Sequence, residues 1–186
     1  AHLGDWRDDD PHKIAMPIVH TSREDGALLG RRAAKGATVT VRVESERFPK
    51  PSSNVVGEIR GDVWPDEWIV LTSHHDTTVD SPGANDNASG TTVVMETARL
   101  LARLKEEHGI SPGRSIRFVT FGSEEQALQG SFRYAERHYG DEPLPRLLIN
   151  LDELAKGSMK GVALQFPELR PLIQRELDEM GEGLKC

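Results

Sequence analysis

The chain holds 186 residues, with 23 Lys+Arg against 30 Asp+Glu, a formal net charge of −7 and a single cysteine, Cys186. That length buries a sizeable core, and 37% hydrophobic against 28% charged residues argues against disorder of the whole chain. The lone cysteine excludes an intrachain disulfide framework and a Cys-rich zinc module; the acidic balance argues against a nucleic-acid partner; no apolar run reaches the ~18 residues that span a bilayer.

Residues 1–13 are polar and read as irregular. A short apolar run at 16–19 leads to Ser22, which stands three residues before Asp25 in a near capping box. Leu28, Leu29, Arg32 and Ala33 continue a helical pattern that Gly36 ends. Residues 38–43 alternate, which predicts a half-buried strand. Residues 14–44 thus predict a small strand–helix–strand unit, and the Pro/Ser-rich stretch 48–53 predicts a linker. The second segment begins near Asn54. Strands are predicted at 55–59, 68–73, 116–121 and 147–151, the last three as buried core strands, with 61–67 as a turn. Helices are predicted after the 79–90 loop (Val94, Ala98, Leu101 and Leu104 on one face, Gly109 at the stop), over 126–138 and over 169–180. Strands that alternate with helices predict an α/β fold, a mostly parallel sheet with helices on both faces.

The charge is uneven. Residues 1–50 carry 9 basic and 8 acidic side chains, whereas residues 51–186 carry 14 and 22. The acidity of the second segment is either a solvated surface or a set of carboxylates converging on metal. The strand ends favour the second. One apolar run leads into His74-His75-Asp76, another into Glu124-Glu125, a third into Asp152-Glu153. Ligands of open α/β sheets sit beyond the carboxyl ends of the strands, so these clusters are expected to meet. One imidazole with several carboxylates suits zinc. Asp86 precedes the long helix, where the backbone N–H groups of the helix start can hold a carboxylate; alone it also reads as an N-cap or turn residue.

His74-His75-Asp76, the 83–90 loop Gly-Ala-Asn-Asp-Asn-Ala-Ser-Gly, the Glu124–Ser131 stretch and Asn150-Leu151-Asp152 occur in the order found in the dinuclear-zinc aminopeptidase family, which residues 54–186 resemble. That family includes glutamate carboxypeptidases, glutaminyl cyclases and the non-catalytic transferrin-receptor ectodomain. Residues 1–50 are similar to the C-terminal part of a protease-associated domain, an insert whose carriers are commonly secreted or membrane-tethered. The resemblance implies that His74 and Asp152 bind one zinc, Glu125 a second, and Asp86 both. It implies that Asp76 orients the His74 ring and that Glu124 is the general base taking a proton from metal-activated water. The implied substrate is a peptide, and the implied reaction is removal of its N-terminal residue.

Strand alternation turns His75 and Glu153 away from their ligand neighbours. His108 and His138 read as helix-end or surface residues. Asn87-Ala88-Ser89 matches a glycosylation sequon, but its place in the motif loop argues against modification. Two departures stand out. Ala127 replaces the glycine more usual after the Glu-Glu pair, and all seven histidines precede Asp152, whereas the family takes a last His ligand well after that position. On that resemblance both domains are expected to be truncated. A carboxypeptidase or glutaminyl cyclase on the same scaffold is the alternative enzyme, with Asn87-Ala88-Ser89 favouring a peptidase. A receptor-like ectodomain is the non-catalytic alternative, disfavoured by Glu124 and Glu125. The chain carries no G-x-S-x-G, H-E-x-x-H, P-loop or dinucleotide motif.

Overall fold

The structure, a computed structural model, describes residues 19–44, 50–155 and 166–181. The expectations for 1–13, 16–18, the start of the linker and Cys186 lie outside the described residues.

One sheet is built from β1 (Val55–Ile59), β2 (Trp64–His74), β3 (Arg114–Phe121) and β4 (Leu147–Asn150), in the order β1–β3–β2–β4. β2 runs parallel to both β3 and β4, and β1 is antiparallel to β3. His74 is in register with Phe121, and Thr72 with Asn150, so three strands finish at the same edge. The helices are α1 (Arg23–Ala33), α2 (Ala88–His108), α3 (Gln129–His138) and α4 (Arg170–Glu179), of which α2 and α3 pack on the sheet.

Strand alternation divides the core into two layers. Val70, Val119 and Phe121 pack against Tyr134 of α3 on one face; Leu71 and Phe118 pack against Val94 of α2 on the other. Each such buried side chain stabilises the fold by about 1.5–3 kcal/mol. Ala98 and Leu101 extend the α2 contact as the spacing predicts, and Gly109 ends that helix in the left-handed region (φ 66°). Helices therefore cover both faces of a mostly parallel sheet.

Several local expectations change. β2 starts at Trp64 rather than 68, because Trp64 pairs with Arg114 across an irregularity that takes up residues 65–67. α3 starts at Gln129 rather than 126, because Ala127 and Leu128 take left-handed conformations (φ 63° and 60°) that a helix excludes. Among the described residues β4 is an edge strand, with Leu148 52% and Ile149 39% exposed, not a core strand. Residues 38–43 form no strand: no described strand pairs with them, and an extended segment without a ladder partner gains nothing from alternation. The predicted helix of that unit does form, with Ser22 Oγ accepting the Asp25 N–H at 3.0 Å, but it buries no residue.

Candidate metal centre

The strand ends bring the predicted residues together around His74. This side chain is 3% exposed at the last position of β2. Its Nε2 lies 3.1 Å from Asp86 Oδ1, 3.5 Å from Asp152 Oδ1 and 3.8 Å from Glu124 Oε2. Donor atoms of His74, Asp86 and Asp152 form one compact group, and those of His74, Glu124 and Glu125 a second.

Each acid arrives by its own device. Asp86 is the residue before the α2 cap: Asn87 takes that place, its side chain accepting the Gly90 N–H at 3.0 Å. Asp86 is therefore not spent on the helix start and turns to the sheet edge. Its peptide bond to Asn87 is cis. Glu124 and Glu125 sit on the turn after β3, entered through Ser123 in the left-handed region (φ 57°). Asn54 grips both ends of that turn, accepting from Gly122 N–H at 3.1 Å and donating to Gly130 C=O at 2.9 Å. Sequence reasoning missed Asn54, since nothing local marks a residue whose partners lie 68 and 76 positions away.

Asp76 occupies a different place from the one expected. His74 Nδ1 lies 3.1 Å from the Asp76 main-chain oxygen but 3.7 Å from its carboxylate. A proton on Nδ1 is donated to that carbonyl, which turns Nε2 toward the acids. The Asp76 carboxylate instead accepts the backbone N–H groups of Glu124 and Glu125. His75 leans the other way, its Nδ1 3.1 Å from Thr120 Oγ1. Glu153 lies beyond the end of β4 in the left-handed region (φ 52°), so alternation does not govern it. Asn87, the sequon asparagine, is 1% exposed.

The electrostatics are those of a site short of positive charge. Burial lowers the pKa of His74, but Glu124, Asp152, Asp76 and Asp86 outweigh it and hold the ring above its ordinary value. Burial raises Glu124, helped by Glu125, Asp152 and Asp76 although His74 opposes. Burial likewise raises Glu125, with Asp86 adding to it. Among the described residues Glu125 Oε1 is buried without a hydrogen-bond partner. Such an orphaned oxygen costs free energy unless a cation meets it. One imidazole, four carboxylates and an unpaired buried oxygen fit a divalent ion of the zinc type.

Fold and site together define an α/β protein with a cluster of one imidazole and four carboxylates that could hold a metal ion at the carboxyl edge of its sheet. Residues 54–185 match the model of peptidase family M28, and the chain belongs to that family. It is 32% identical to aminopeptidase YwaD of Bacillus subtilis over 142 residues, 76% of this chain and 29% of that protein. It is 28% identical to carboxypeptidase Q of Xenopus laevis over 182 residues, 92% of this chain and 36% of that protein. The chain thus spans about a third of the length of these relatives. Its fold is like that of a peptidase M28 precursor from Shewanella amazonensis SB2B (TM-score 0.62, 24% identity, 87% of this chain and 36% of that one). Among the described residues, no helix is long and apolar enough to cross a membrane.

Proposed function

We propose that this chain carries the catalytic centre of a zinc-dependent exopeptidase, an aminopeptidase acting on peptides. The observation that supports it is the convergence of Asp86, Asp152 and Glu124 within 3.8 Å of His74 Nε2, with Glu125 in the adjoining group. In this reading His74 and Asp152 would hold one zinc and Glu125 a second, with Asp86 available to both. Zinc bound there supplies a Lewis acid for the scissile carbonyl and brings the pKa of water down to about 7. Glu124 is the general base. It is the farthest of the three acids from Nε2, and a carboxylate can both take and return a proton. It accepts the proton of the attacking water and delivers it to the leaving amine. Asp76 is a positioning residue that fixes His74 and the Glu124–Glu125 turn at once.

The more identical relative is an aminopeptidase, which favours that action; the match to carboxypeptidase Q covers more of the chain and supports carboxypeptidase action as the second reading. Residues 54–186 form the peptidase part in this reading, and residues 1–50 a separate protease-associated-like piece. In the full-length protein, Glu124→Gln is expected to keep bound zinc and lose about 10²–10⁴-fold in turnover. Wild-type turnover in that variant overturns the assignment. Release of amino acids from N-terminally blocked peptides overturns aminopeptidase action in favour of carboxypeptidase action.

A further inference from the structure

The residues next to Asp86 and Asp152 hold one another. Asn85 Nδ2 donates to Glu153 Oε1 at 3.0 Å, and Asn85 Oδ1 accepts from the Ala155 N–H at 2.9 Å. Ser89 Oγ donates to the Asn85 carbonyl at 2.6 Å and accepts from the Leu154 N–H at 2.9 Å. On the other side of Asp152, Asn87 Nδ2 donates to the Leu151 carbonyl at 2.9 Å. β4 has ended by then, and the last tie to the sheet is Leu151 N–H to Thr72 C=O. Beyond it, side chains of the motif loop grip the backbone that carries Asp152.

We propose that Asn85 is a positioning residue whose paired bonds to Glu153 and Ala155 set the placement of Asp152 against Asp86, and thereby the zinc affinity of the centre. This rests on the reading of His74, Asp86 and Asp152 as zinc ligands. An amide is the side chain that fits: it gives Glu153 a donor and Ala155 an acceptor from one rigid group. Asp at this position keeps the acceptor, loses the donor and sets a like charge against Glu153. Asn85 is covalently next to Asp86, and Glu153 next to Asp152, so the clasp links the segments of the two acids from one side as the Asn87–Leu151 bond does from the other.

The test is zinc affinity of the full-length protein, measured by competition with a chromogenic chelator. Asn85→Asp adds a negative charge near the cation, so electrostatics alone predicts tighter binding. A clasp predicts the reverse, a loss of about tenfold or more. Asn85→Asp with Glu153→Gln restores donor and acceptor with reversed polarity at unchanged net charge, and is expected to recover most of the loss. Should Asn85→Asp not fold, Glu153→Gln and Glu153→Ala decide: both remove the charge, only Gln keeps the acceptor, and Ala is expected to bind zinc more weakly. Zinc binding as tight as wild type in Asn85→Asp, no recovery in the double variant, or equal affinity in the two Glu153 variants overturns the inference while the site reading stands. Wild-type protein that binds no zinc overturns both.

Discussion

The Asp76 carboxylate spans the gap between two strand ends, accepting the Glu124 N–H at 3.0 Å with one oxygen and the Glu125 N–H at 3.2 Å with the other. The residue that follows His74 by two positions thereby fixes the start of the turn bearing both glutamates. Its main-chain oxygen meanwhile takes the His74 ring. Side-chain substitution separates these two tasks. Asp76→Ala keeps the carbonyl and leaves two N–H groups without their acceptor, at about 1–3 kcal/mol each where water cannot replace it. We expect urea unfolding of the metal-free protein to show a loss of that order, and turnover to fall about 10–100-fold. Asp76→Asn, with one acceptor oxygen, should fall between. Unchanged stability in Asp76→Ala would mean the two bonds carry no weight.

Gly130 closes the same turn from its far end. A Cβ there overlaps the Gly122 carbonyl and comes 2.6 Å from Asn54 Oδ1. Gly130→Ala is therefore expected to cost about 1–3 kcal/mol, as overpacking does, and to lower zinc occupancy by displacing the Glu124–Glu125 turn. Gly57 in β1 has nothing within 4 Å of its added Cβ, so Gly57→Ala should stay within about 0.5 kcal/mol of wild type. Thermal unfolding of the two variants side by side checks the contrast. Equal shifts would show that close approach is not what Gly130 provides.

The centre was legible in the sequence because each acid follows an apolar strand, and strand ends share an edge. His74, Glu124, Glu125 and Asp152 needed no more than that pattern, whereas their roles came from family resemblance. What the pattern did not carry was pairing. Residues 38–43 alternate as well as any strand in the chain, yet no described strand lies beside them. Val55–Ile59 was visible as a strand, but not its antiparallel place beyond β3. Hydrogen-bond clasps such as Asn54 and Asn85 were illegible for the same reason, since their partners lie 68 or more residues away. The α2 cap sits one residue later than Asp86, a shift that propensity does not resolve but that decides which side chain faces His74.

Glu125 should trade stability against metal binding. Burial, then the charge of Asp86, raises its pKa, so the ionised form is penalised in the metal-free fold at neutral pH. Its buried Oε1 also lacks a partner. Glu125→Gln removes the charge at nearly constant volume. Metal-free Glu125→Gln is expected to unfold at a higher urea concentration than metal-free wild type, while its zinc affinity falls at least tenfold. A variant that is less stable without metal and unimpaired in zinc binding would contradict both halves.

On the face of β3 that packs against α3, Arg117 is 6% exposed and meets Glu58 Oε1 at 2.6 Å, Glu142 Oε2 at 2.9 Å and the Tyr134 hydroxyl at 3.1 Å. Its guanidinium lies 4.4 Å from the Trp68 ring centre. His138 Nδ1 reaches the other Glu142 oxygen at 2.7 Å. The His138 bond holds Glu142 below its ordinary pKa; burial opposes this, and Arg117 adds to it. A carboxyl whose folded pKa is depressed stabilises the fold fully above the unfolded value of about 4.3, and that contribution is lost as pH falls through the folded value. Glu142→Gln should therefore be less stable than wild type at pH 7. The gap should narrow as the pH falls below the unfolded value and close once it has passed the lower folded value, where wild-type Glu142 takes up its proton. Urea unfolding of both proteins across that range measures it, and a gap independent of pH would assign the effect of the substitution to packing rather than to the ionised carboxylate.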